Sequence, residues 1–482
     1  MPAFLFIHSK MSYMTYSISF RLKRFFSLLK QAVAGSEQDY TTGSIRKAVF
    51  LLAVPMILEM MMESVFAVVD IFFVGKLGNE AVATVGLTES VITLVYSIAI
   101  GLSMAATALV SRRVGEKNFK EAAEAGMQSI FAALIISAIV SVVGVLSAKN
   151  ILQFMGANAR MVTENVRYTQ IMFGGNLVIM LLFLINGIFR GAGDASIAMR
   201  SLWIANVSNI ILCPVLIRGL GPIPALGLTG AAIATTAGRG VGVLYQVYRL
   251  FIKKGLLNFY IRQLKPRRDL LVQIVKIGMN GTFQFLIGSA SWIILARFMA
   301  GFHEAAMAGY QVAIRLLIFF LMPAWGMSNA AATLTGQNLG AGKPDRAEKS
   351  VWKTAGYNAI FMLSVSLFFF FFGEPVVNFM NSDPEARKYA LQALHIISGG
   401  YIFYGVGMVM INAFNGAGDT KTPTLVNLIG FWAFQIPLAW ILIRYFLHEP
   451  SAIFISIIAA ETLMAIISLY LFRKGKWKTV KV

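Results

Sequence analysis

Apolar residues run along this chain in long blocks separated by short polar or basic segments. The blocks lie at about 48–74, 81–110, 125–148, 164–189, 197–218 and 226–250, then at about 272–300, 306–335, 351–373, 387–412, 422–447 and 451–472. About 20 apolar residues in an α-helix cross the ~30 Å hydrocarbon core of a bilayer. The pattern therefore predicts an all-α integral membrane protein with twelve transmembrane helices and both chain ends on one side.

The basic residues test that count, because cytoplasmic loops retain Lys and Arg. With the N-terminus inside, the tails and even-numbered loops hold about 27 of them and the opposite loops about three, Lys76, Lys149 and Arg160. The inner set includes Arg112, Arg113, Lys117 and Lys120, then Lys253, Lys254, Arg262, Lys265, Arg267 and Arg268. A miscounted span would scramble the asymmetry. The expectation is a multi-pass protein of the cell (inner) membrane with both termini cytoplasmic.

Composition removes other classes. The 482 residues are 57% apolar or aromatic and 13% charged, where a soluble domain carries about 25% charged residues. A cytosolic enzyme, a nucleic-acid binder and a disordered chain are excluded. The net charge of +20 is read as topology, because the basic residues sit between apolar runs. A single cysteine, Cys213, rules out an internal disulfide framework and thiolate-built metal sites. The four histidines, His8, His303, His395 and His448, have no metal-ligand spacing. No nucleotide-binding motif or cofactor signature is present. Residues 1–45 mix basic and aromatic residues without a cleavage site, and read as a basic cytoplasmic tail lying on anionic lipid. Met11 or Met14 is an alternative start.

An internal repeat fixes the expected architecture. Phe189-Arg190-Gly191-Ala192-Gly193-Asp194 reappears as Phe414-Asn415-Gly416-Ala417-Gly418-Asp419, 225 residues on. The same offset superposes Phe154-Met155 on Phe379-Met380, and Gly115 and Ala122 on Gly340 and Ala347. Six helices per repeat is an even number, so both halves enter the membrane in the same direction. They are expected as two six-helix bundles related by a pseudo-twofold axis along the membrane normal. The boundaries are a tail at 1–45, an N-lobe at 46–252, a basic linker at 253–269, a C-lobe at 270–472 and a basic tail at 473–482. Two such bundles leave a central cleft that rocking opens to either side, which is alternating access.

The first span carries the most informative chemistry. Glu59, Glu63 and Asp70 interrupt an apolar helix. At 100° per residue all three fall within about 40° of one face, with rises of roughly 6 Å and 10 Å between them. A charged Asp at the bilayer centre costs about 2.5–3.5 kcal/mol, so the stripe faces protein or a water-filled cleft. It either titrates, as a coupled pump requires, or is locked in ion pairs with Arg239 or Arg315. Pro55, one turn before Glu59, removes a helix hydrogen bond and is a candidate bending point for gating. Span five carries Asn206 and Asn209 one turn apart; span six has a small-residue face ending in Thr235-Thr236. Asn186, Asn206, Cys213 and Glu461 are secondary candidates. The second half has no matching acid ladder.

These residues resemble the multidrug and toxic compound extrusion (MATE) family over about 45–472. The resemblance rests on Val69-Asp70-Ile71-Phe72-Phe73-Val74-Gly75-Lys76-Leu77-Gly78, the repeated Gly-Ala-Gly-Asp motif, Asn209-Ile210-Ile211-Leu212 and Leu226-Gly227-Leu228-Thr229-Gly230-Ala231-Ala232-Ile233-Ala234-Thr235. It implies a twelve-helix antiporter, not an enzyme, that exports small organic, often cationic or aromatic, compounds against protons or sodium ions. It implies no cofactor, no nucleic acid and no required protein partner beyond the lipid bilayer. Carried over, Asp70 matches the coupling aspartate, Asn209 an amide of the same N-lobe site, and Thr235 lies close to a site threonine. Cys213 stands where many relatives have aspartate. The C-lobe carboxylates of one branch are missing, their places falling near Gly288 and Tyr404. Glu59 and Glu63 are not general family features. The alternative reading is a lipid-linked oligosaccharide flippase of the related superfamily, kept open by Arg239, Arg297 and Arg315.

Overall fold

The computed structural model describes residues 23–35, 38–253 and 255–481. The remainder of the 1–45 tail, 1–22 and 36–37, lies outside the described residues. Helix dominates throughout, and a single antiparallel bridge, Leu220–Ile223, stands outside it among the described residues. A helix at 23–34 (α1) is followed by α2 (Ile45–Gly75), α3 (Asn79–Gly115), α4 (Phe119–Phe154), α5 (Ala159–Gly174), α6 (Asn176–Ala192), α7 (Ala195–Arg218) and α8 (Gly227–Phe251). After a short turn at Ile261–Leu264 come α9 (Arg268–Met299), α10 (Glu304–Gly340), α11 (Pro344–Met380), α12 (Pro384–Ser398) and α13 (Tyr401–Ala417). The helix over Lys421–Phe446 contains two π-helical stretches, Leu428–Gln435 and Leu442–Phe446, and the last long helix is Ser451–Arg473.

Nine of the helices among the described residues are long and apolar enough to cross a membrane, and the pair α12–α13, bent by 55°, makes a tenth. With α2 and α8 added, the helices form two sets of six in the predicted order. The span predicted at 164–189 runs through α5 and α6, which meet at Gly175.

The repeat is visible in atomic detail. α6 and α13 end on glycines in the left-handed region, Gly193 (φ 94°) and Gly418 (φ 87°). Asp194 N then donates to Phe189 O at 2.9 Å, and Asp419 N to Phe414 O at 3.0 Å. This is the Schellman helix stop, in which only glycine adopts the left-handed turn without strain. The indole of Trp203 donates to Leu58 O at 3.0 Å, and that of Trp432 to Ile287 O at 3.1 Å. Each docks the fifth helix of its bundle on the first.

Across the seam between the bundles, α2 packs on α10 and α3 on α9, the two contacts being mates under the repeat. Contact is closest on the side where the chain enters α2 and leaves the last long helix. There Thr333 Oγ1 donates to Arg190 O at 3.1 Å and Gln337 Nε2 to Gly191 O at 3.0 Å. The chain ends reinforce it. Lys343 and Arg346, from the second bundle, donate to the carbonyls of Thr41, Tyr40, Thr42 and Gly43. Arg112 of α3 donates to Val480 O, while Trp477 is fully buried and stacks on Phe472 at 4.8 Å.

Candidate functional site

Where the bundles separate, they enclose a cavity of about 280 Å³. Its wall is mostly apolar: Met60 of α2, Tyr96, Ile100 and Met104 of α3, Phe183 of α6, and Phe285 stacked on Trp325 at 6.2 Å. Four kinds of polar group interrupt it, Glu63, Arg190, the hydroxyls of Thr93, Ser103 and Thr107, and the amides Asn329, Asn412 and Asn415. A largely apolar, aromatic cleft with a few directed polar groups is the usual form of a small-molecule site.

The acid ladder of α2 turns into the first bundle, on the common face its spacing predicts, and each carboxylate meets a different environment. Glu59 is 2% exposed and is held: Asn186 Nδ2 donates to it at 3.0 Å and Arg190 Nη1 lies at 3.5 Å. Asn186 Oδ1 in turn accepts from Ser201 Oγ at 2.8 Å and Gln246 Nε2 at 2.6 Å. Glu59 is thus a paired, networked group, and its cation is the arginine of the repeated motif, not Arg239 or Arg315. Glu63 accepts from Arg239 Nη2 at 3.2 Å, so the ion-pair alternative holds at this one position. Asp70 is 8% exposed and has no hydrogen-bond donor on it among the described residues; its Oδ1 is buried and unpartnered. A buried polar atom without a partner is uncommon and marks a place for water, an ion or a proton.

The other predicted residues divide. Asn209 Nδ2 donates to Thr235 Oγ1 at 3.1 Å, so those two meet, and Asn209 Oδ1 is left unpartnered. Asn206 donates to Met62 O at 3.2 Å, fastening α7 to α2. Cys213 is fully buried and within electrostatic reach of Asp70. Pro55 lies inside the unbroken α2 and is buried. Glu461 stands apart in the second bundle, with no hydrogen-bond partner among the described residues, facing a separate cavity of about 110 Å³ shared with Tyr404 and Asn427. Among the described residues no cluster of His, Cys, Asp and Glu suits a metal ion.

Sequence reasoning missed Glu89. This α3 carboxylate interacts electrostatically with Asp70 and Arg239. Its signal was available, since Glu89 is the acid within the apolar body of span two, two helical turns before Tyr96 on the same face. Of the arginines that kept the flippase reading open, Arg239 is buried on Glu63, while Arg297 and Arg315 are exposed and absent from the cavity wall.

Two six-helix bundles with a closed seam on one side of a central cavity, and buried acids beside it, define a membrane transporter. The chain belongs to the MatE family, whose model matches residues 55–215 and 282–441, one block in each half. It is 26% identical over 436 residues to a probable multidrug resistance protein NorM of Thermotoga maritima, covering 90% of this chain and 93% of the relative. It is 24% identical over 398 residues to an FAD transporter of Shewanella oneidensis, covering 83% of this chain and 88% of the relative. A crystal structure of MATE in complex with MaL6 superposes with a TM-score of 0.86 at 24% identity, over 90% of this chain and 97% of that one.

Proposed function

We propose that the protein is a secondary antiporter that exports small organic compounds, cationic or aromatic, in exchange for protons or sodium ions by alternating access. The N-lobe is taken as 46–252 and the C-lobe as 270–472, joined by the linker 253–269, with cytoplasmic tails 1–45 and 473–482 in the inner membrane. In that orientation the closed seam faces the cytoplasm and the cavity belongs to an outward-open state.

The observation that carries the reading is Asp70: a buried carboxylate without a hydrogen-bond partner, on the same helix face as Glu63, which lines the cavity. A proton or sodium ion entering from the open side neutralises it and removes the penalty of a dry charge. Asn209, Thr235 and Glu63 complete the coupling site, Glu59 supports it through Arg190, and Pro55 is the bending point. Both ions and substrate bias one rocking equilibrium, which is the requirement for antiport. The multidrug resistance named for the Thermotoga relative agrees with the aromatic, acid-bearing cavity. A bulky anion such as the FAD of the Shewanella relative would meet Arg190 as the cavity's cation, already engaged with Glu59.

Purified protein in liposomes decides this. Ethidium transport is expected under an imposed proton or sodium gradient and not without one. Transport driven equally well with no gradient, or by ATP, overturns the reading.

A further inference from the structure

Arg239 fills a cage suited to a cation. Its guanidinium donates from Nη2 to Glu63 Oε1 at 3.2 Å and lies 5.1 Å from the Phe66 ring centroid and 5.4 Å from that of Tyr96. A carboxylate flanked by aromatic faces is also what an aromatic organic cation seeks. Two of these three groups, Glu63 and Tyr96, line the central cavity.

The pairing is incomplete on both sides. Arg239 Nε and Nη1 are buried and donate to nothing, and Glu63 Oε2 and Asp70 Oδ1 accept nothing. A guanidinium at such depth normally fills its donors. The groups acting on it come from two walls: Glu63 and Asp70 on α2, Glu89 and Tyr96 on α3. Tyr168 of α5 and Cys213 of α7 lie within electrostatic reach of Asp70. Glu63 alone holds the guanidinium by a hydrogen bond, while the buried Asp70 and the exposed Glu89 act on it through space, so its position decides which of them needs another cation.

We infer that Arg239 is an internal competitor of the exported cation: it alternates between Glu63 and the Asp70–Glu89 pair, and its return to Glu63 displaces an aromatic organic cation from the Glu63–Tyr96 wall. The inference rests on Asp70 being the coupling carboxylate and names the proton as the coupling ion. With Asp70 and Glu89 ionised, the guanidinium is drawn to them, and Glu63 with the Tyr96 face is free for substrate. Protonation of Asp70 and Glu89 from the open side removes that attraction. The guanidinium then returns to Glu63, the arrangement in this structure, and the substrate loses its counter-charge. Proton and substrate exclude one another through one side chain, which is the linkage antiport requires. Arg239 is a positioning residue here; it need not touch the substrate.

Ethidium binding to purified protein, read by fluorescence anisotropy at alkaline and at acidic pH, tests this. The unmodified protein is expected to bind roughly tenfold more weakly on acidification, a difference easily resolved. Arg239→Gln should bind tightly at both pH values, and Arg239→Lys should keep the original pH dependence. Asp70→Asn should bind weakly at both, because Arg239 stays on Glu63, and the Asp70→Asn/Arg239→Gln double variant should recover tight binding. Where Arg239→Gln does not purify as monodisperse protein, Arg239→Met carries the same expectation. An unchanged pH dependence in the Arg239 variant, or a double variant no tighter than Asp70→Asn, overturns the competition. If Asp70→Asn alone keeps the original pH dependence, the coupling role of Asp70 falls instead.

Discussion

Gly115 and Gly340 close the seam between the two halves by a reciprocal contact. A Cβ on Gly115 would lie 2.0 Å from the carbonyl oxygen of Gln337, and one on Gly340 would lie 2.0 Å from that of Arg112. The repeat that relates Gly115 to Gly340 also relates Arg112 to Gln337, so each half presents the same glycine to the same point of the other. This is the signature of a twofold axis through the seam. A side chain at either position forces backbone apart, since the obstacle is a carbonyl and not a flexible tip.

Gly115→Leu is therefore expected to prevent closure on the side of the chain ends. Spin labels on cysteines introduced at Lys117 and Lys343, in a Cys213→Ser background, should report a longer and broader distance than in the parent. An unchanged distance together with unchanged transport would show that the contact does not gate the cleft.

Asp70→Asn mimics the neutralised site permanently. It should fold and reach the membrane yet fail to couple ethidium export to an imposed gradient. Glu461→Gln should be milder, because Glu461 faces its own cavity away from the α2 stripe. Normal coupling in Asp70→Asn with loss in Glu461→Gln would move the ion site to the second half.

Arg190→Ala leaves Glu59 buried without its cation. Breaking a buried pair by removing one partner costs about 3–5 kcal/mol. A clearly lowered midpoint of thermal unfolding in detergent is expected, with partial recovery in Glu59→Gln/Arg190→Gln. A midpoint equal to the parent's would mean that the network around Asn186 holds Glu59 without Arg190.

Cys213 is fully buried in α7, so a membrane-impermeant thiol reagent should modify it slowly. In the Cys213→Ser background, cysteines at Lys120 and Lys265 should react from the same side of the membrane. Labelling from opposite sides would break the twelve-span topology.

The apolar runs, the segregation of Lys and Arg and the repeated Gly-Ala-Gly-Asp motif determined the helix order and the two-bundle plan from sequence alone. These are local or periodic properties, and a bilayer leaves the backbone few options other than helix. The one-face stripe of Glu59, Glu63 and Asp70 was equally legible, because 3.6-residue geometry fixes it. Partner choice was not. Glu59 finds Arg190, 131 positions later in the chain, and Glu63 finds Arg239, 176 positions later. Glu89 comes within electrostatic reach of Asp70 from another helix altogether. Which acid gains a partner on one oxygen and which gains none depends on how α2, α3, α6 and α8 rotate against one another. That is decided by packing of side chains far apart in sequence, so only the tertiary structure separates the held Glu59 from the unpartnered Asp70.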